Sequence, residues 1–167
     1  KILQLTTIVR DVQTATMIAH SFTRSPVMVG RQYGNHLRLD AMVHHFFRSW
    51  YCLCRGDAPT ALAHAMTAWP MAEQMGSMFH KVIVLSALAP ARVANGDIEG
   101  AEQAYREQLA LAKAARNPTF SYIAFCSAAE IAMAKKDDAG LAKQVERMLV
   151  VKALGGFRTG CGWRTPM

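Results

Sequence analysis

The stretch ANGDIEGAEQAYREQLALAKAARNPTF, residues 94–120, decides the fold of this chain. It contains the pair Gly96-Asp97, and the residues four, eight and twelve positions after the Asp are Ala101, Tyr105 and Leu109. A spacing of four keeps side chains along one face of a helix. The stretch closes on Asn117-Pro118, a pair typical of the end of a helix. The pattern therefore predicts a turn followed by one amphipathic helix.

The same pattern occurs three times with a period of 40 residues. Gly56-Asp57 lies 40 residues before Gly96-Asp97, and Lys136-Asp137 lies 40 residues after it. The columns after each Asp agree in being small or apolar: Ala61, Ala101 and Leu141; Ala65, Tyr105 and Val145; Trp69, Leu109 and Leu149. The columns before each turn also match: Val43, Ile83 and Ile123; Tyr51, Ala91 and Ile131. Such columns indicate helices that approach each other closely.

Helical hairpins account for this period. We predict helix pairs at 37–55 with 58–75, at 78–95 with 98–115, and at 119–135 with 138–154. The expected fold is all-α, an α-α superhelix of stacked hairpins. Residues 1–36 are assigned to an incomplete preceding repeat and a loop, 37–156 to the three hairpins, and 157–167 to a tail that leads toward a further helix. Because the sequence begins at Lys1, we expect it to be a piece of a longer protein.

The turns between paired helices have a defined chemistry. A Gly can take the left-handed conformation that ends a helix, and the following Asp can cap the next helix. The residues assigned to the turns are Gly56, Asp57, Gly96, Asp97 and Asp137. In the third turn Lys136 replaces Gly, so this turn is expected to be less ideal, with Asp137 or Asp138 as the cap. Pro70 and Pro90 are each expected to kink a helix or to end it early.

The composition excludes several classes of protein. The chain has 167 residues and is 51% hydrophobic, with many alanines, which favours helices. The longest run without Asp, Glu, Lys or Arg is the 15 residues 58–72, whereas a membrane span needs roughly 20 apolar residues. The four cysteines (Cys52, Cys54, Cys126 and Cys161) do not resemble a disulfide framework, which favours a reducing cytoplasm.

The net charge of +7 raises the question of nucleic-acid binding. The basic residues are scattered, and no run is longer than Lys135-Lys136. A solvated surface is therefore the favoured interpretation, and direct binding of nucleic acid by this fragment is the alternative.

The repeats resemble a known group of proteins. The Gly-Asp turn, the following Ala and the aromatic Tyr105 are similar to tetratricopeptide repeats, although the 40-residue period exceeds that family's usual value of about 34. The segments 56–79 and 94–120 resemble the helical-repeat regions of bacterial signal-transducing ATPases that regulate transcription, of the maltose-regulon-activator type. The end of the chain, GGFRTGCGWRTPM (155–167), resembles the end of that region, with Thr165 interposed between Arg164 and Pro166.

The resemblance covers residues 37–167, and it implies a sensor or coupling module. In such regulators nucleotide hydrolysis and DNA binding belong to other domains. This chain has no P-loop and no clear helix-turn-helix, so neither activity is carried over to it.

Candidate binding residues lie on the first helices of the hairpins. A concave face formed by these helices would hold a peptide, a partner domain or a small effector, and we select His44, Arg48, His80 and Arg92 as its surface. Arg48 and Arg92 are the natural contacts for an anion. The aromatic cluster Phe46, Phe47, Trp50 and Tyr51 is interpreted as core of the first hairpin, and the alternative is a ligand pocket.

No pattern for catalysis, a cofactor or a metal emerges. His44 and His45 are adjacent and point about 100° apart on a helix, which disfavours a shared metal. Cys52 and Cys54 form a Cys-x-Cys that is interpreted as small buried residues rather than a zinc or redox motif. Carboxylates such as Glu102 and Glu130 are interpreted as solvated helix faces, so we expect a protein that is not an enzyme.

Three functions remain open from the sequence. The first is an interaction or sensor module of a bacterial cytoplasmic regulator, which binds a protein or peptide partner or other domains of the same polypeptide. The second is a basic nucleic-acid-binding domain. The third is an oligomerisation element, such as a homodimer, because the ends of a repeat stack are apolar unless they are capped.

Overall fold

The computed structural model describes residues 34–153, and their side-chain surroundings from residue 39 onward. This part of the chain consists of helices joined by short turns: α1 Gly34–Cys54, α2 Ala58–Met75, α3 Met78–Ala94, α4 Ile98–Ala115, α5 Pro118–Ala134 and α6 Asp138–Ala153. The predicted all-α fold is confirmed, and every predicted helix boundary lies within three residues of the observed one. The predicted preceding repeat, the tail 157–167 and Cys161 lie outside the described residues.

The start of α1 differs from the prediction. The loop expected to run to Asn35 ends earlier, because α1 begins at Gly34. Asn and Gly are both favourable at the start of a helix, since the first turn has backbone N–H groups without helical partners. The helix therefore includes His36, which places it two turns before His44 along the same helix.

The three hairpin turns repeat the same hydrogen bonds. The residue at the Gly position donates its N–H to the carbonyl three residues earlier, in Gly56 to Leu53 and in Gly96 to Val93, both at 3.0 Å. The Asp N–H reaches five residues back at 2.9 Å in all three turns. This pair of bonds is the Schellman arrangement, which satisfies the last carbonyls of the first helix.

Each Asp also caps the helix that follows it. Asp57 accepts from the Thr60 N–H at 3.2 Å, and Asp97 accepts from Gly100 at 2.9 Å. In the third turn the cap is Asp137, which accepts from the Gly140 N–H at 2.8 Å. The glycines allow the closer approach, since a Cβ at Gly100 or Gly140 would collide with the capping carboxylate.

Lys136 takes the conformation of the glycine that it replaces. Its φ is 56°, compared with 76° for Gly56 and 79° for Gly96. A side chain in the left-handed region is disfavoured by roughly 1–2 kcal/mol. The third turn thus keeps the geometry of the other two while carrying a strained residue.

Replacing Lys136 by Gly should stabilise the chain by about 1 kcal/mol, because it relieves this strain. Urea unfolding would show a higher midpoint with an unchanged slope. The reverse change in the second turn, Gly96→Lys, should lower stability by a similar amount, since a Cβ at Gly96 meets open space and only its conformation is strained. Equal midpoints for Lys136→Gly and the parent chain would contradict this account.

Both prolines lie inside continuous helices. The expectation of an early end at Pro70 or Pro90 is wrong, because α2 runs on to Met75 and α3 to Ala94. Pro70 is exposed, so water can satisfy the carbonyl that has lost its helical N–H. Pro90 is buried between the fully buried Ala89 and Ala91, and this packing holds the helix together across it.

The hairpins stack through their first helices. Each helix packs against the next one along the chain, and α3 also contacts both α1 and α5. Among the described helices, the second members α2, α4 and α6 do not contact one another. This arrangement is an α-α superhelix in which first helices form a continuous layer and second helices stand apart. None of the helices in residues 34–153 is both long and apolar enough to cross a membrane.

Alanine forms most of the core. The fully buried alanines of α2 and α4 meet the larger side chains of α3, above all Leu85 and Leu88. Small residues let helix backbones approach closely, which explains the alanine-rich columns of the repeat. The aromatic cluster of α1 contributes less than expected, because Phe46, Phe47, Trp50 and Tyr51 are all only half-buried. Cys52 is buried as predicted, but Cys54 is exposed.

Candidate functional site

Two of the predicted groove residues lie one turn apart on α1. His44 is half-buried, and its ring lies edge-on to His45 with the ring centroids 5.5 Å apart. The guanidinium carbon of Arg48 lies 5.5 Å from the centre of the Tyr51 ring. Arg55 approaches the same ring at 5.8 Å and donates to the Tyr51 hydroxyl at 3.3 Å. The Arg48 side chain is thus directed along α1 by Tyr51.

The other two predicted residues lie at opposite ends of α3. His80 and Arg92 are 12 residues apart, or about 18 Å along a helix. Arg92 is occupied by the second turn: it donates to the Gly100 carbonyl at 2.6 Å and its Nε lies 3.8 Å from the Asp97 carboxylate. The structure therefore assigns Arg92 a turn-stabilising contact, and it does not bring the four predicted residues together at one compact site.

A cleft lies where α4 and α6 stand apart above α5. It has a volume of about 220 Å³ and is open to solvent. Its floor is formed by small and apolar side chains of α5, which are Ala128, Ile131 and Ala132. Its rim carries polar and charged side chains from all three helices and the third turn, which include Glu102, Tyr105, Arg106, Lys135, Asp137 and Gln144. An apolar floor with a polar rim is the usual composition of a binding cleft.

The rim on the α4 side is an ion-pair network. Lys135 Nζ lies 2.9 Å from Glu102 Oε1, and Arg106 approaches the other carboxylate oxygen at 3.7 Å. The hydrogen bond and charge of Lys135 lower the pKa of Glu102, and the Glu102 carboxylate raises the pKa of Lys135. Both groups are therefore charged at neutral pH. Arg106 keeps 64% of its side chain exposed, so it is the cation most accessible to an incoming anion.

The cleft joins two hairpins through a position that recurs in the repeat. Lys135 stands directly before the third turn, in the same column as Asn95 before the second. Asn95 donates to the Ala58 carbonyl of the preceding hairpin at 2.7 Å, as Lys135 does to Glu102. This column fastens each turn to the second helix of the hairpin before it. Sequence reasoning missed the cleft, although the turn-adjacent polar column and the facing alanines of α5 were its signal.

The charge of the described segment is almost balanced. Between residues 34 and 153 the sequence holds 13 Lys and Arg against 11 Asp and Glu. Most of the net +7 therefore lies in residues 1–33 and 154–167. A nearly neutral surface does not provide the phosphate-neutralising face that nucleic-acid binding requires. The helices described here are accordingly better suited to a protein or peptide.

Metal ligands and relatives were also considered. No group of three or more His, Cys, Asp or Glu side chains within the described ranges is arranged to hold a metal ion. Neither a protein-family profile, nor a curated protein, nor a solved structure matches the chain.

Proposed function

We propose that this chain is an interaction module of a larger bacterial cytoplasmic regulator of transcription. In this proposal the α4–α5–α6 cleft binds an extended peptide segment, supplied by a partner protein or by another domain of the same polypeptide. The supporting observation is the cleft itself, with its apolar floor and its rim of both charge signs. The resemblance of the repeats to the sensor region of signal-transducing regulators supports the cellular role.

The chemistry of the cleft defines the peptide. The floor of Ala128, Ile131 and Ala132 accepts a small or medium apolar side chain. Arg106 is exposed at the rim and would pair with an acidic residue of the peptide. Asp137 and Gln144 offer acceptors on the facing side. The expected ligand is therefore a short segment in which an apolar side chain lies next to an acidic one.

A peptide library displayed on phage and panned against the chain tests this proposal. We expect enrichment of apolar-acidic sequences whose affinity falls at least about tenfold in Arg106→Glu, equivalent to 1.4 kcal/mol. The matched control is Lys113→Glu, the same charge reversal at another exposed position of α4. It should leave the affinity unchanged, because Lys113 does not line the cleft. Equal losses in both variants, or no enrichment, would reject the cleft as the binding site.

Self-association is a second candidate, supported by α6. Val145, Leu149 and Val150 are 42%, 60% and 53% exposed, and no described helix covers them. Val145 and Leu149 occupy repeat columns that are buried or half-buried in the first two hairpins. Sedimentation velocity over a range of concentrations tests this candidate. A dimer that dissociates in Leu149→Lys supports it, and a monomer at every concentration rejects it.

A further inference from the structure

Two histidines from different helices meet in the first hairpin. Nδ1 of His45 on α1 lies 2.9 Å from Nδ1 of His64 on α2, and the ring centroids are 5.1 Å apart. Both side chains are half-buried, so they retain contact with solvent. The residues are 19 positions apart in the sequence. The pair thus connects the two helices of the hairpin, at a distance from the α4–α5–α6 cleft.

The surroundings of the pair favour neutral imidazoles. Burial, and then the charge of His44, lowers the pKa of His45 below 6.5. Burial likewise lowers the pKa of His64, assisted by His45, Arg48 and His44 and opposed by Asp57. Above pH 7 each ring therefore has one N–H and one free lone pair, which is the form that binds metals. In the hydrogen-bonded pair, one Nδ1–H donates to the other Nδ1.

The distance between the nitrogens selects a coordination geometry. Metal–imidazole bonds of about 2.1 Å separate two nitrogens by about 3.0 Å when they meet at a right angle, and by about 3.4 Å at a tetrahedral angle. The observed 2.9 Å fits the right angle. Right-angle pairs of nitrogen ligands belong to square-planar or octahedral ions such as Cu²⁺ and Ni²⁺.

We propose that His45 and His64 form a two-imidazole clip for a divalent transition-metal ion of this geometry, with water in the remaining positions. Binding requires a small rotation of each ring, so that both Nδ1 lone pairs point to one ion. The proton of the donor Nδ1 moves to Nε2 of the same ring, and both rings stay neutral. No proton is lost and no redox step is involved.

The charges near the clip set its strength. The Arg48 guanidinium and any protonated His44 oppose a cation, whereas the Asp57 carboxylate favours it. Two protein ligands bind more weakly than the three or four of dedicated metal sites. Because the ion bridges α1 and α2, its binding must stabilise the folded chain in proportion to the logarithm of its concentration above the dissociation constant.

Thermal unfolding of the full chain with increasing Ni²⁺ alone tests the clip, in a buffer that does not coordinate metals. We expect the Tm to rise with Ni²⁺ and not with Mg²⁺, which prefers oxygen ligands. His64→Asn and His45→Asn should each weaken Ni²⁺ binding at least about tenfold. Asparagine keeps a polar group near the Nδ1 position, so the contact between the helices survives. His80→Asn, on α3, should retain the full Tm rise.

Two outcomes would overturn the clip. One is the absence of any Ni²⁺-dependent rise in Tm, and the other is an equal rise in the parent chain and in both clip variants. If either variant fails to fold, the parent chain with Cu²⁺ alone provides an independent readout by electron paramagnetic resonance. Hyperfine structure from two equivalent nitrogen donors supports the clip, and a spectrum with one nitrogen or none rejects it.

Discussion

The Glu130→Gln variant should be more stable than the parent chain at pH 8, by up to about 3 kcal/mol. Burial raises the pKa of Glu130 from 4.5 to about 7 in the folded chain. A folded-state pKa above the unfolded value means that the folded chain binds the proton more tightly. The contribution of the protonated carboxyl is complete below pH 4.5 and is lost as the pH rises through 7. Each unit corresponds to about 1.4 kcal/mol, and glutamine removes the ionisable group.

The measurement is urea unfolding of both chains at pH 4.5 and at pH 8. At pH 4.5 the two should differ little, because the parent carboxyl is then largely protonated in the folded state. The matched control is Glu146→Gln, which removes an exposed carboxylate of α6 and should change stability by less than about 0.5 kcal/mol at either pH. Equal stability of Glu130→Gln and the parent at pH 8 would show that Glu130 is solvated.

The second large effect is expected at the alanine columns. Ala101 is completely buried in α4, so Ala101→Leu should destabilise the chain by about 3 kcal/mol through overpacking. The same column in the third hairpin already holds a leucine, Leu141, which is only half-buried. The different surroundings arise because α4 is packed between α3 and α5, whereas α6 contacts only α5 among the described helices.

Reciprocal replacements provide the controls for this effect. Leu141→Ala should cost about 1 kcal/mol, because the leucine removes only part of its surface from water. Ala142→Leu, at an exposed position of α6, should be within about 0.5 kcal/mol of the parent. Thermal unfolding of the three variants measures these differences. If Ala101→Leu and Ala142→Leu have similar effects, the columns do not mark sites of close helix approach.

The turns could be predicted from the sequence because their chemistry is local. Gly96 is needed for a left-handed residue and Asp97 for a cap, and both requirements involve only neighbouring backbone groups. The period of 40 then transfers the geometry to the other turns. It does so even at Lys136, where the packing of α5 against α6 determines the turn despite an unfavourable residue.

The buried polar residues could not be predicted in this way. Gln108 is completely buried, and its amide donates to the Val82 carbonyl at 3.1 Å. Nothing in the helical pattern distinguishes it from an exposed glutamine. The interpretation of Glu130 as part of a solvated face is wrong for the same reason, because its burial depends on what packs against α5. Periodicity identifies a face, but it does not give the depth of each position.

The cleft required distances between hairpins. The repeat columns indicate which residues meet within a hairpin, and this led the sequence analysis to place the binding face on the first helices. The separation of α4 from α6 depends on how one hairpin stacks on the next, and no local pattern encodes it. The rim residues Glu102 and Lys135 lie 33 positions apart and become neighbours only through this stacking.

Hydrogen exchange with a peptide selected from the phage library tests the central claim most directly. The peptide should protect backbone amides in the segments that form the cleft, around residues 102–106, 128–137 and 140–144, and leave α1 and α2 unchanged. Protection confined to the first helices α1 and α3, with none around the cleft, would contradict the account.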